Sequence, residues 1–155
     1  MRRAVAMGCV VAALCTLVAD ARAPSGQYET FGPTDDTIAD AKTKLTWQRV
    51  VSAERFSWAS ASQACGTRTL GGKPARLPTV KELLTIVDED VNLVYVGTDV
   101  LDSRAIDKFA FPDTPGTYFW TSTKLGGDAL VVDFRYGNTQ PLALDLKVAV
   151  RCVAD

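Results

Sequence analysis

Histidine is missing altogether from the 155 residues. The side chain that most often serves as base beside a catalytic Cys or Ser is therefore not on hand, and nucleophilic chemistry is hard to sustain. Cysteine is sparse: Cys9, Cys15, Cys65 and Cys152. Two mature cysteines without histidine cannot build a structural zinc site. An excess of positive charge is also lacking, since 17 Lys and Arg stand scattered against 18 Asp and Glu. Neither a nucleic-acid footprint nor a polybasic membrane patch is present. Long apolar runs are limited to Ala4–Ala19, about sixteen residues, where a membrane span needs roughly twenty.

That run follows Arg2 and Arg3 and leads to small-x-small sites at Ala19-Asp20-Ala21 and Ala21-Arg22-Ala23, the pattern of a secretory signal peptide. Residues 1–21 are read as the signal. Cleavage after Ala23 would place Pro24 beside the scissile bond, which suits the peptidase less well. No lipobox precedes Cys9 or Cys15, and the arginine pair lacks the surroundings of a twin-arginine signal. Export removes Cys9 and Cys15 and leaves Cys65 and Cys152 for an oxidising compartment, where one disulfide is expected. Such a bridge would be worth very roughly 4 to 5 kcal/mol on the chain-entropy model. Two free buried thiols, or a nucleophile with a spare, are the competing readings. The mature charge falls to about −2.

Residues 22–37 are rich in Pro, Ser, Gly, Thr and Asp and read as a flexible leader. From residue 38 to 155 the text is that of one domain. Ala39–Lys44 reads as a turn, and Leu45–Val50 has strand composition. Ser57 can cap a helix that carries Trp58, Ala61 and Cys65 on one face. Thr79 and Glu82 have capping-box spacing, so a second helix is expected from Val80 to Asp88, with Val80, Leu83, Leu84 and Val87 as its apolar face. Asp88 to Pro115 carries Asp88, Glu89, Asp90, Asp99, Asp102 and Asp107 before Phe109, Phe111 and Pro112. It is expected to be a long surface loop, with short regular pieces allowed near Val91 to Val96. Tyr118–Thr123 and Ala129–Arg135 read as a hairpin, with Leu130, Val132 and Phe134 buried and Val131, Asp133 and Arg135 partly wet. Lys147–Val153 is expected to close the chain as one strand, with Val148, Val150 and Cys152 on one face. The fold class is α+β, two helices packed on a small antiparallel sheet with a long loop region.

Trp47-Gln48, Trp58 with Cys65, Ala75-Arg76-Leu77-Pro78-Thr79-Val80-Lys81-Glu82-Leu83, Phe119-Trp120-Thr121-Ser122-Thr123 and Val150-Arg151-Cys152-Val153 occur in that order. The chain resembles the C-terminal domain of the Legionella collagen-like adhesin family, a C-type-lectin-like domain, from about Asp40 to Asp155. Ala105-Ile106-Asp107 and Phe111-Pro112-Asp113-Thr114 match that pattern too. The resemblance implies a C-type-lectin-like core with a disulfide from the first helix to the final strand. It also implies a binding function, which in the naming adhesin is recognition of sulfated glycosaminoglycans by a trimer behind a collagen-like stalk. This chain has no Gly-x-y repeat and a mildly acidic mature charge, which speaks against stalk, trimer and sulfated polymer alike.

Candidate ligand-binding residues are Trp120, for stacking on a sugar ring, with Asp113, Asp128 and Asn138 as hydrogen-bonding neighbours. For Trp47, Trp58 and Trp120 a core role is the stronger reading. Arg76 and Arg151 could grip an anion, but pairing with Glu82, Asp88 or another carboxylate inside the domain is favoured. Asp88-Glu89-Asp90-Val91-Asn92 resembles the start of a calcium loop, yet Leu93 stands where glycine is needed and Asp99 where the bidentate glutamate belongs. No metal and no cofactor are expected. Asp99 and Asp102 lie close in sequence, which gives no glycosidase geometry. An Arg-Leu-Pro-Thr stretch is also similar to the formylglycine-generating enzymes, but those are larger and use a further cysteine pair, so no catalysis is expected. The expected function is a secreted or periplasmic, non-enzymatic binding domain for a glycan, matrix or envelope partner. It would work through the loops at Asp88–Pro115 and Lys124–Asn138. The alternative is a structural or assembly subunit of the envelope with no small ligand.

Overall fold

The computed structural model describes residues 25–30, 36–88, 92–96 and 99–155, the side chains of 92–96 and 99–103 apart. The expected signal peptide lies outside them. Strands β1 (Tyr28–Thr30), β2 (Thr37–Asp40) and β3 (Thr46–Gln48) precede helix α1 (Trp58–Gly66). The ribbon β4 (Thr69–Leu70) and β5 (Lys73–Pro74) leads to α2 (Val80–Leu84). Then come β6 (Asn92–Val96), β7 (Asp99–Arg104), β8 (Tyr118–Leu125), β9 (Asp128–Asp133), β10 (Asn138–Ala143) and β11 (Val153–Ala154). Two antiparallel sheets dominate, in the orders β1-β2-β3-β11 and β10-β9-β8. The domain is thus α+β and mostly β.

Local chemistry explains the first sheet. Asp40 turns the chain by accepting from the amides of Lys42 and Thr43 at 2.9 and 3.3 Å and from the Thr43 hydroxyl at 2.7 Å. β2 can then fold back on β3. β11 pairs antiparallel with β3, Val153 opposite Trp47, so the two ends of the domain meet in one sheet. β1 falls within the stretch read as a flexible leader, yet it pairs with β2, Tyr28 opposite Asp40. A single aromatic anchors it: the Tyr28 ring meets Phe111 edge-on at 5.1 Å.

Both helices start where their caps place them. Ser57 accepts from the Ser60 amide, and Thr79 with Glu82 forms a complete capping box. The expected α2 ran to Asp88, but regular α-helix stops at Leu84. Beyond it Ile86 and Val87 donate to Leu83 and Leu84, three residues back. That tighter winding brings residues three apart onto one face. Leu83 and Ile86 are therefore buried, while Leu84, expected on the apolar face, is exposed.

The β8–β9 hairpin forms as expected, but Leu130, expected buried, is only half-buried, and both faces carry buried residues. Phe119, Val132 and Phe134 point into one cluster with Ile38, Trp47 and Phe111. Trp120, Ala129 and Val131 point into another with Ala61, Cys65 and Leu77. Val131 and Asp133 are therefore buried, against expectation, because α1 and the terminal segment cover the second face. That segment is not one continuous strand either. Val148 bridges Phe56, Ala149 bridges Phe119, and only Val153–Ala154 runs in a ladder. The break lets residues 148–154 stitch one sheet to the other. The Cys65–Cys152 disulfide closes the assembly across 87 residues, with Cα atoms 5.4 Å apart.

Part of the expected Asp88–Pro115 loop is regular. β6 and β7 form an antiparallel ribbon with Asn92 opposite Arg104 and a register shift between Val94 and Tyr95. The irregular remainder is held at both ends by Phe134, whose carbonyl accepts from Ala105 and whose amide donates to Thr117.

Candidate functional site

The residues proposed from sequence do not converge. Trp120 is 0% exposed, and its indole N–H donates to the Phe56 carbonyl at 2.7 Å. It fills the core and offers no face to a sugar. Asp128 stands at the β8–β9 turn, whereas Asn138 lies opposite Asp133 at the other end of β9. Five residue steps along β9 put those ends roughly 17 Å apart. Asp113, exposed and at φ 55°, sits in the loop tied to Phe134.

Trp47 is buried. Trp58 is half-buried, donating to the Thr121 carbonyl at 2.9 Å with the Lys124 ammonium 4.1 Å from its ring centroid. Leu77 is buried, as is Pro78, whose carbonyl accepts from the Ser122 amide at 2.7 Å.

The two arginines differ. Arg76 grips Glu82 with two bonds, at 2.9 and 2.8 Å, and also meets Asp155. The Arg76 bonds, together with the Thr79 cap, bring Glu82 down to about 2. Arg151 was expected to find a carboxylate. Instead its guanidinium donates to the main-chain carbonyls of Gln48 and Arg49 and to the Thr114 hydroxyl, the last two at 2.9 and 2.6 Å. It also lies 4.6 Å from the Phe111 ring centroid. Complete burial pulls its pKa down to about 9, which leaves it charged at neutral pH. Both arginines are spent on the fold.

Concavity lies elsewhere, beside β1. A hollow of about 250 Å³ is lined by Ser25, Gly26, Tyr28, Thr30, Ile38, Asp107, Phe109 and Ala110. A second, of about 180 Å³, is lined by Gln27, Tyr28, Lys42, Ile86, Asp88 and Asp107 among others. Tyr28 and Asp107 belong to both, so the two hollows adjoin. Asp107 is fixed by accepting from the amides of Phe109 and Ala110 at 2.8 and 3.1 Å through Oδ1. That turn presents Phe109 outward, 65% exposed. Burial first, then the fields of Asp40, Asp107 and Asp88, push the Tyr28 phenol well above its usual range. It stays neutral at any physiological pH. Among the described residues no group of three or more His, Cys, Asp or Glu could hold a metal ion.

The sequence model of the Lcl C-terminal domain matches residues 36–154. The chain belongs to the Lcl C-terminal domain family. No curated protein and no solved structure gives a significant match. Within this Lcl domain the family match contains Asp107 and Phe109 but begins after β1, so Tyr28 is contributed by a strand outside the matched region. Sequence reasoning missed Tyr28 as a site residue. The available signal was slight, one large aromatic with Gln27 and Glu29 in a run of small residues, and strand pairing across residues 31–35 could not be read from it.

Proposed function

We propose that this Lcl domain is a non-enzymatic recognition module of the bacterial exterior or envelope, exported by the N-terminal signal and oxidised there. The observation that carries the reading is the pair of adjoining hollows at Tyr28 and Asp107. They form a concave, mixed polar and aromatic surface. The disulfide supports an oxidising compartment. The C-type-lectin-like plan belongs to the same reading, supported by the bridge from α1 to the terminal segment and by the pairing of β3 with β11. Its ligand would be a glycan, a matrix component or an envelope protein, met at the β1 side and the loop from Ala105 to Thr117.

The test is binding of the purified protein to glycan arrays and to immobilised matrix and envelope proteins, comparing wild type with Phe109→Ala. Phe109 is so exposed that its removal should leave the fold intact, checked by circular dichroism. Concentration-dependent binding that falls at least ten-fold in the variant is the expected result. Attachment only to an envelope protein, indifferent to Phe109→Ala, would instead identify an assembly subunit. Turnover of any bound compound would overturn the non-enzymatic reading.

A further inference from the structure

β1 ends its sheet, and among the described residues no strand pairs with its outer edge. An unpaired edge offers main-chain donors and acceptors to an added strand. Gly26, Tyr28 and Thr30, alternate residues of this segment, line the larger hollow. Alternate residues share one face of a strand, so a peptide laid along β1 would bring its own alternate side chains over that hollow. Each hollow is smaller than the roughly 300 to 1,000 Å³ that drug-sized ligands occupy, and so suits one side chain at a time.

The lining specifies which side chain. Asp107 uses Oδ1 for its turn, and no described residue bonds Oδ2. The Tyr28 hydroxyl likewise makes no hydrogen bond with a described residue. No lysine or arginine lines the larger hollow, whereas Lys42 lines the smaller. At the rim the Phe109 ring already has the Lys108 ammonium 5.4 Å from its centroid, which shows that a cation can approach its face. A carboxylate oxygen, a neutral phenol and an aromatic wall together match an ammonium or guanidinium on an apolar stem.

The geometry points to a basic, extended polypeptide as the partner: a strand added along β1 whose Lys or Arg side chain enters between Tyr28 and Phe109 and donates to Asp107 and the Tyr28 hydroxyl. This deepens the recognition reading above and rests on it. A neutral sugar could also meet Asp107 and Phe109, but it would make no use of the strand edge.

The test is NMR titration of the intact ¹⁵N-labelled protein with acetyl-Thr-Val-Arg-Val-Thr-amide, with the same peptide carrying citrulline for arginine, and with N-acetylglucosamine. The amides of Phe109 and Ala110, which bond Asp107, and those of Tyr28–Thr30 are the reporters. The arginine peptide should shift both sets saturably, with affinity falling at least ten-fold for citrulline and for Asp107→Asn, which keeps an acceptor for the turn. If that variant loses the turn, Tyr28→Phe decides: affinity equal to wild type overturns the hydroxyl contact. Equal binding of the arginine and citrulline peptides, or no saturable shift with either, overturns the basic partner. Shifts caused by the sugar alone would do the same while leaving the recognition reading in place.

Discussion

Arg151 carries a positive charge into the interior and meets no carboxylate through a hydrogen bond there. Burying a charge is costly unless its donors are satisfied, and here the two terminal nitrogens reach the carbonyls of Gln48 and Arg49 and the Thr114 hydroxyl, while Nε meets no described partner. Its faces are covered by Phe111 and Phe119, 4.6 and 5.9 Å from their ring centroids. Those carbonyls lie where the chain leaves β3, and the facing Cys152 amide donates to the Gln48 side chain at 3.1 Å. One side chain thus ties three distant segments. Lysine cannot reproduce the fork. Arg151→Lys should lower unfolding free energy by about 2 to 4 kcal/mol, since at least one buried carbonyl loses its donor. Urea denaturation followed by tryptophan fluorescence would measure it. A loss below about 0.5 kcal/mol would show that water replaces the guanidinium freely.

At the scale of elements, α2 is held by its cap more than by its length. Five residues form too short a helix to persist alone, so the Thr79–Glu82 box and the Arg76–Glu82 pair do much of the holding. Glu82 has a depressed pKa in the folded protein, about 2, below the roughly 4.3 of a free glutamate. The stabilisation is therefore complete above about pH 5 and is lost as pH falls through 2. Glu82→Gln, which preserves the box but not the charge, should flatten this part of the curve of melting temperature against pH. An unchanged acid limb would mean that Arg76 and Glu82 contribute nothing as ions. The caps at Ser57 and Thr79 were legible in the sequence because their signals span three residues. Other elements depended on partners far along the chain. β1 needs β2 across an intervening segment, the β6–β7 ribbon carries an irregular register, and the division of residues 147–153 follows from bonding to two different sheets. Trp120 was more legible: a core role was the stronger reading from sequence, and the α1 side of the core covers its ring. Tyr28 was hidden, since its neighbours gave no periodicity at all.

For the molecule as a whole, closure rests on a short non-covalent seam and one covalent bond. β11 contributes only Val153 and Ala154 to its ladder with β3, supplemented by the mutual bonds of Arg76 and Val153 at 2.9 and 3.0 Å. Against this the disulfide spans 87 residues, and a loop of that size restricts the unfolded chain by about 4 to 5 kcal/mol. Typical domains have only about 5 to 15 kcal/mol in total. The Cys65→Ala, Cys152→Ala double variant should therefore be marginal, losing about 4 kcal/mol in urea titration. The loss should also be uneven in space. Amides of the seam, Val153 bonded to Arg76 and Gln48 bonded to Cys152 at 2.9 Å, should exchange with deuterium earlier than those at the centre of β9. β9 is paired on both sides and packed on both faces. Uniform acceleration across both sheets would mean instead that the domain opens only as one unit, with the terminal segment no weaker than the rest.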